Sequence, residues 1–125
     1  MSHQPVNYQR GDIVLVPFPF TDLSWQKARP SVVISSLSYN TRMNDLILVA
    51  VSSKTGAIDP RFELLIPPSH LRFAATGLRV PSVIKIGKLV TIDQALVYRK
   101  LGRLPADLMT QLEQRLRDVL DLNNK

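Results

Sequence analysis

Arg29 stands where a polar stretch meets an apolar one, and Pro30 follows it. Proline disfavours the helical region for the residue before it, which biases Arg29 toward an extended backbone. A guanidinium that is always protonated, with five donors in a rigid fork, is thereby held at the mouth of a strand. That geometry suits an oxyanion such as a phosphate. Further along, Ser52-Ser53-Lys54 ends another apolar run with two hydroxyls and an ammonium. If the two runs are neighbouring antiparallel strands, Arg29, Ser52, Ser53 and Lys54 converge on one spot. Lys27 lies just ahead of Arg29, and Lys85 adds a further cation to the phosphate-holding set. Trp25, the only tryptophan, offers either a face for an unpaired base or a ring that packs over a rim.

The charge balance points to the same class of partner. The chain of 125 residues carries a net charge of +6. Residues 10–103 hold 13 Lys/Arg against 6 Asp/Glu, whereas residues 104–125 hold 3 against 4. The positive field thus belongs to the body of the chain, and it favours a polyanion through steering and counterion release. RNA brings its own nucleophile, the 2′-OH, so its cleavage needs only alignment, proton transfer and stabilisation of a charged phosphorane. Residue types alone leave this at an RNA-binding barrel.

Other chemistries find little support. The chain has no cysteine, which excludes disulfides, thiolate nucleophiles and cysteine–zinc sites. His3 and His70 have no carboxylate at ligand spacing, so neither a metal nor any other cofactor is expected. The five glycines are scattered and form no phosphate-binding fingerprint. No serine sits in a nucleophile elbow, although counting alone leaves a Ser-His-Asp triad open. The N-terminus lacks an apolar signal region, and the longest apolar run, Leu46–Val51, is too short to span a bilayer. A cytoplasmic protein without membrane attachment is expected.

These residues must be positioned by a mainly β chain. Residues 1–9 read as a flexible lead-in, and 10–122 as one domain. Ile13–Val16 is apolar at every position, as in a strand buried on both faces or at a dimer contact. Pro17 and Pro19 end it. Ser31–Ser35 and Leu46–Ser52 follow as strands, joined by a connection over Leu37–Asp45. Arg61–Ile66 alternates and stops at Pro67-Pro68. Beyond a long connection around His70–Gly77, Ser82–Ile86 and Leu89–Ile92 read as two short strands about Gly87. Pro105 then opens a helix whose Leu108, Leu112, Leu116, Val119 and Leu120 form one apolar stripe. Short strands followed by one amphipathic helix give a small β-barrel capped by that helix.

From Gly11 to Leu120 the chain resembles the MazF/PemK family of toxins from bacterial toxin–antitoxin pairs. The resemblance rests on Gly11-Asp12-Ile13-Val14, Pro17-Phe18-Pro19-Phe20-Thr21-Asp22, the run Arg29–Ser35 and Leu48–Ser53. It continues in Ser82-Val83-Ile84, Thr91-Ile92-Asp93-Gln94 and Leu101-Gly102-Arg103-Leu104. It implies an SH3-like barrel of the MazF/PemK/CcdB type, a homodimer, and sequence-selective cleavage of single-stranded RNA, usually mRNA. The family's arginine before proline falls on Arg29, and its hydroxyl residue at the end of the third strand falls on Ser52. That residue is usually threonine; serine keeps the donor but lacks the methyl that fixes the rotamer. Better-studied members often carry an acid in the later hairpin, where this chain has Ile86-Gly87-Lys88.

The expected activity is a metal-independent endoribonuclease acting through 2′-OH attack, with Arg29 and Ser52 catalytic and Trp25, Lys27, Ser53, Lys54 and Lys85 binding RNA. A cognate antitoxin with an acidic, partly disordered segment should neutralise it across the same groove. Dimerisation is expected because Ile13–Val16, Val32–Ile34 and the helical stripe offer more apolar surface than one small barrel buries. Two alternatives stand beside this. One is a protein-binding poison of DNA gyrase with the same fold, although such toxins depend on a C-terminal aromatic and this chain ends Leu122-Asn123-Asn124-Lys125. The other is a catalytically weak RNA-binding module.

Overall fold

A computed structural model describes residues 7–18 and 27–122. Six strands form a single antiparallel sheet: β1 (Asp12–Pro17), β2 (Ala28–Val33), β3 (Asp45–Ser52), β4 (Glu63–Ile66), β5 (Ser82–Asp93) and β6 (Arg99–Arg103). Their spatial order is β4-β5-β3-β2-β1-β6, so the expected barrel takes the form of a curled half-barrel with β4 and β6 at its two edges. Two helices accompany it, α1 (Leu37–Met43) and α2 (Ala106–Leu120), and α2 packs on β4 and β5. Among the described residues no helix is long and apolar enough to cross a membrane.

Strand alternation sends successive side chains to opposite faces, and each face has its own core. Toward α2, Ile13, Val32, Val49, Ile84 and Ile86 pack against Leu108 and Leu112. On the other face, Val14, Val16, Val33, Leu46, Leu48 and Ala50 pack with Tyr8 and Phe18. This accounts for the unbroken apolar run in β1, which is buried on both faces. It also corrects the physical ground for dimerisation, since Ile13, Val14, Val16, Val32 and Val33 are fully buried within one chain. The helical stripe is narrower than expected: Leu108 and Leu112 are buried, Leu116 and Val119 lie partly against the core, and Leu120 is exposed.

Four elements differ from the sequence reading. The connection over Leu37–Asp45 contains α1, capped by Ser36, whose side chain accepts the Tyr39 N–H. Its central Asn40 is buried, donating to the carbonyls of Tyr8 and Ser35. A polar network therefore holds this turn, and apolar spacing cannot reveal it. The two strands expected about Gly87 are one strand, β5; both halves pair with β3, and the register shifts between Val49 and Ala50. Arg99–Arg103 was not read as a strand, because its three basic residues hide the pattern. Pro105 occupies the cap position and Ala106 is the first helical residue.

The edge strand β6 is tied to β1 by a buried carboxylate. Asp12 is fully buried; it lies 2.6 Å from Arg103 Nη1 and 3.3 Å from Lys100 Nζ, and accepts the Gln9 N–H at 2.8 Å. The short helical turn Phe73–Thr76 lies against the same strand backbone to backbone. A Cβ on Gly77, which has φ +75°, would stand 2.1 Å from the Leu101 carbonyl oxygen, and one on Gly102 would stand 2.2 Å from that of Ala75.

Two stability effects follow. Arg103→Ala should destabilise the chain by about 2–3 kcal/mol, less than an orphaned buried charge because Lys100 and the Gln9 N–H remain. Lys100→Ala should cost less, and urea midpoints at constant slope would rank the two. Gly77→Ala should cost on the order of 3 kcal/mol, more than the roughly 1 kcal/mol of a positive φ alone, because a carbonyl must move. A Gly77→Ala midpoint equal to the parent's would contradict the packing described.

Candidate active site

Arg29 lies at the start of β2 and Ser52 at the end of β3, and these strands are antiparallel neighbours. Ser31 pairs with Ala50, and the same register carried two residues further sets Arg29 opposite Ser52. Both are half-buried and both line one cavity of about 360 Å³. The volume sits at the lower end of small-ligand sites, which span about 300–1,000 Å³.

The floor of the cavity is a cross-strand row. Arg99 pairs with Leu15, and Leu15 pairs with Pro30. Val51 and Leu101 complete it. Leu78, Arg79, Val80 and Ser82 form the opposite wall, delivered by the chain that leaves the Phe73–Thr76 turn through Gly77. Thr76 steadies this exit: its hydroxyl donates to the Phe73 carbonyl at 2.6 Å and accepts the Leu78 N–H at 3.1 Å. Ser82 Oγ donates to the Val80 carbonyl at 2.9 Å, which fixes the return into β5.

Ser52 Oγ accepts the Lys54 backbone N–H at 3.1 Å. One lone pair is thus committed to a local turn, and the hydroxyl proton remains to be donated. The turn constrains the hydroxyl that lacks threonine's methyl. Ser53 also lines the cavity, while the exposed Lys54 follows it and does not. Lys27 is exposed ahead of β2 and is not a lining residue. Trp25 lies outside the described residues. Lys85 is placed elsewhere on the sheet: it faces Ala50 and Glu63, and its ammonium donates to Glu63 Oε2 at 2.9 Å. Burial pushes the Glu63 carboxyl up, but the Lys85 hydrogen bond and the Asp59 N–H outweigh it and hold the group below its ordinary value.

Sequence reasoning missed Arg79 and Arg99. Arg79 sits between a glycine and Pro81, a turn signal that could have placed a cation in a fixed loop. Arg99 gave no usable signal, because its strand was itself not recognised. His70 is accounted for differently. Its Nε2 bonds both Asp107 carboxylate oxygens, at 3.0 and 2.9 Å, and its Nδ1 accepts the Arg72 N–H at 3.0 Å. The His70 bond holds the Asp107 carboxyl below its usual range. With Nδ1 occupied, the ring has no lone pair for a serine, so this pair is a tether rather than part of a triad. Among the described residues, no three His, Asp or Glu side chains group as a metal site would require.

The arrangement offers a guanidinium, a hydroxyl donor and two further arginines around one cavity that has no lining carboxylate among the described residues. Known proteins share this frame. Residues 9–120 match the family described as PemK-like, MazF-like toxin of type II toxin-antitoxin system. The chain is 33% identical over 99 residues to Endoribonuclease MazF2 of Mycobacterium bovis and to Endoribonuclease MazF6 of Mycobacterium tuberculosis, covering 77% of this chain and 81% of each relative. It superposes on an endoribonuclease solved in complex with its cognate antitoxin from a Mycobacterial species, with a TM-score of 0.74 and 17% identity, over 94% of this chain and 99% of that one. The crystal structure of MazF (Form-I) from Deinococcus radiodurans gives a TM-score of 0.73 at 22% identity, over 94% and 99% of the two chains. At these identities the superpositions establish the fold. The family match over nearly the whole described chain, together with relatives at one-third identity, shows that this chain belongs to the PemK-like, MazF-like toxins of type II toxin–antitoxin systems.

Proposed function

We propose that this chain is a metal-independent endoribonuclease toxin that cleaves single-stranded RNA, with mRNA as its substrate class. The observation that carries the reading is the register that brings Arg29 and Ser52 to one cavity lined by arginines and, among the described residues, by no carboxylate. The relatives' names as endoribonucleases favour RNA over a gyrase target. Residues 10–122 act as the toxin domain, and the cytoplasm, where mRNA is translated, is the compartment that fits this substrate.

In the reaction, the RNA 2′-oxygen bonds to the adjacent phosphorus and the phosphorus–5′-oxygen bond breaks. The 2′-hydroxyl proton is lost and the leaving 5′-oxygen gains one. The products are a 2′,3′-cyclic phosphate and a 5′-hydroxyl. Arg29 stabilises the phosphorane charge; an arginine side chain gives up its proton reluctantly, so this is its first role, with proton transfer second. Ser52 donates to a non-bridging oxygen, its lone pair already turned toward the Lys54 N–H. Ser53, Lys54 and Lys27 hold the RNA strand by its phosphates, and Trp25 stacks on an unpaired base. Lys85, paired with Glu63, supports binding at longer range.

The active form we propose is a homodimer, neutralised by an antitoxin whose acidic segment crosses the basic face over Lys27, Arg29 and Lys54. Exposed Leu89, Leu96 and Tyr98 supply apolar surface for association.

Arg29→Ala should lower the cleavage rate by on the order of 10²–10³ with the fold unchanged, the scale of one lost preorganised donor. Arg29→Lys should recover only part of this. Ser52→Ala should lose activity, and Ser52→Thr should keep it. Cleavage should persist in EDTA and fail on RNA with a single deoxynucleotide at the cut site. Single-turnover cleavage of that substituted RNA at the normal rate would overturn the 2′-OH mechanism. Light scattering should give a dimer mass at micromolar concentration, and a monomer would count against the assembly. Antitoxin and RNA should displace each other in a fluorescence competition; simultaneous binding without mutual loss would refute the shared face.

A further inference from the structure

Several cations outside the cleft have acidic partners: Arg103 and Lys100 share Asp12, Arg10 faces Glu113, and Lys85 faces Glu63. At the cleft, Arg79 and Arg99 are exposed, and among the described residues no carboxylate stands within ion-pair distance of either. Each is nevertheless held on a fixed backbone. Arg99 is paired with Leu15 across the ladder, and the neighbouring Tyr98 N–H donates to the Leu15 carbonyl at 2.9 Å. Arg79 follows the Gly77 exit, which is packed against Leu101 two residues beyond Arg99. Two arginines on held backbone thus line one small cavity with no acid beside them among the described residues, an arrangement that favours an anion.

We infer that Arg79 and Arg99 form a second phosphate subsite, which takes a backbone phosphate of the RNA next to the one held at Arg29 and Ser52. The inference rests on the endoribonuclease reading. It adds that the enzyme grips at least two phosphates of one strand, with the neighbouring phosphate setting where the scissile one lies. Arg79 and Arg99 are positioning residues: they touch the substrate backbone but not the reacting atoms. The planar fork suits a phosphate held bidentately, so lysine is a partial replacement.

The test compares the parent protein with Arg79→Ala, Arg99→Ala, the double variant and Arg79→Lys. Binding is measured on a single-stranded RNA made uncleavable by one deoxynucleotide at the cut site. The double variant should reduce the slope of log affinity against log salt by about 0.7, the value for one phosphate contact on a single strand, and each single alanine should take part of that loss. On cleavable RNA, KM should rise on the order of tenfold per arginine, more than kcat falls. A neutral methylphosphonate at the phosphate beside the cut site should weaken the parent and leave the double variant without further loss. Arg79→Lys should keep the salt slope and recover part of the affinity. If the parent cuts RNA but the variants keep its slope and KM, or the double variant still suffers the full methylphosphonate penalty, the subsite is wrong and the activity stands. If the variants lose affinity for a polyglutamate peptide while keeping it for RNA, the pair serves an acidic protein segment and the inference fails. If the parent cuts no RNA, the functional reading falls with it.

Discussion

Asp12 holds a negative charge where no water reaches it, and Arg103, Lys100 and the Gln9 N–H keep it tolerable there. Both cations come from β6, so the buried carboxylate fixes the edge strand against β1. Much else is then determined. β6 carries Arg99 and supplies the backbone on which the Phe73–Thr76 turn rests. That turn leads to Arg79. One wall of the cleft and part of its floor therefore depend on an ion pair buried where β1 meets β6. Removing the charge from such a site is a structural change first and a functional one second.

The same economy explains why the cleft is electropositive. Net charge alone says little about where a field is concentrated. Here, Arg103, Arg10 and Lys85 are paired with Asp12, Glu113 and Glu63, whereas among the described residues the lining of the cleft contains arginines and no acid. Lys85 illustrates the point: as a bare residue it counts as a phosphate holder, but opposite Glu63 it spends most of its charge on a neighbour.

The half of the site that could be read from the chain was the half written in backbone rules. Pro30 restricts Arg29, and the ends of antiparallel neighbours meet, so Arg29 and Ser52 were legible together. β1, β2, β3 and α2 were legible because apolar periodicity is strong in each. α1 was not, since its stability lies in the hydrogen bonds of Asn40 and Ser36 rather than in an apolar stripe. β5 read as two strands because Ile86-Gly87-Lys88 interrupts the alternation, yet both halves pair with the same partner. β6 was invisible because three of its five residues are basic, and their reasons are a buried acid and a cleft that only tertiary structure creates. Arg79 and Arg99 escaped notice for that reason. The Ser52 turn was equally hidden, although it supplies a constraint that serine, without threonine's methyl, lacks on its own.

Gly77 and Gly102 meet their neighbours backbone to backbone, with no side chain between to act as a cushion. Loops usually adjust the width of a binding cleft by sliding on deformable side chains. This wall cannot, because any shift of it transfers directly to β6. The aperture over Arg29 and Ser52 is therefore governed by the coiling of the sheet, a collective mode rather than a hinge. Whatever alters that coiling, at either edge of the half-barrel, is mechanically geared to Arg29 and Ser52.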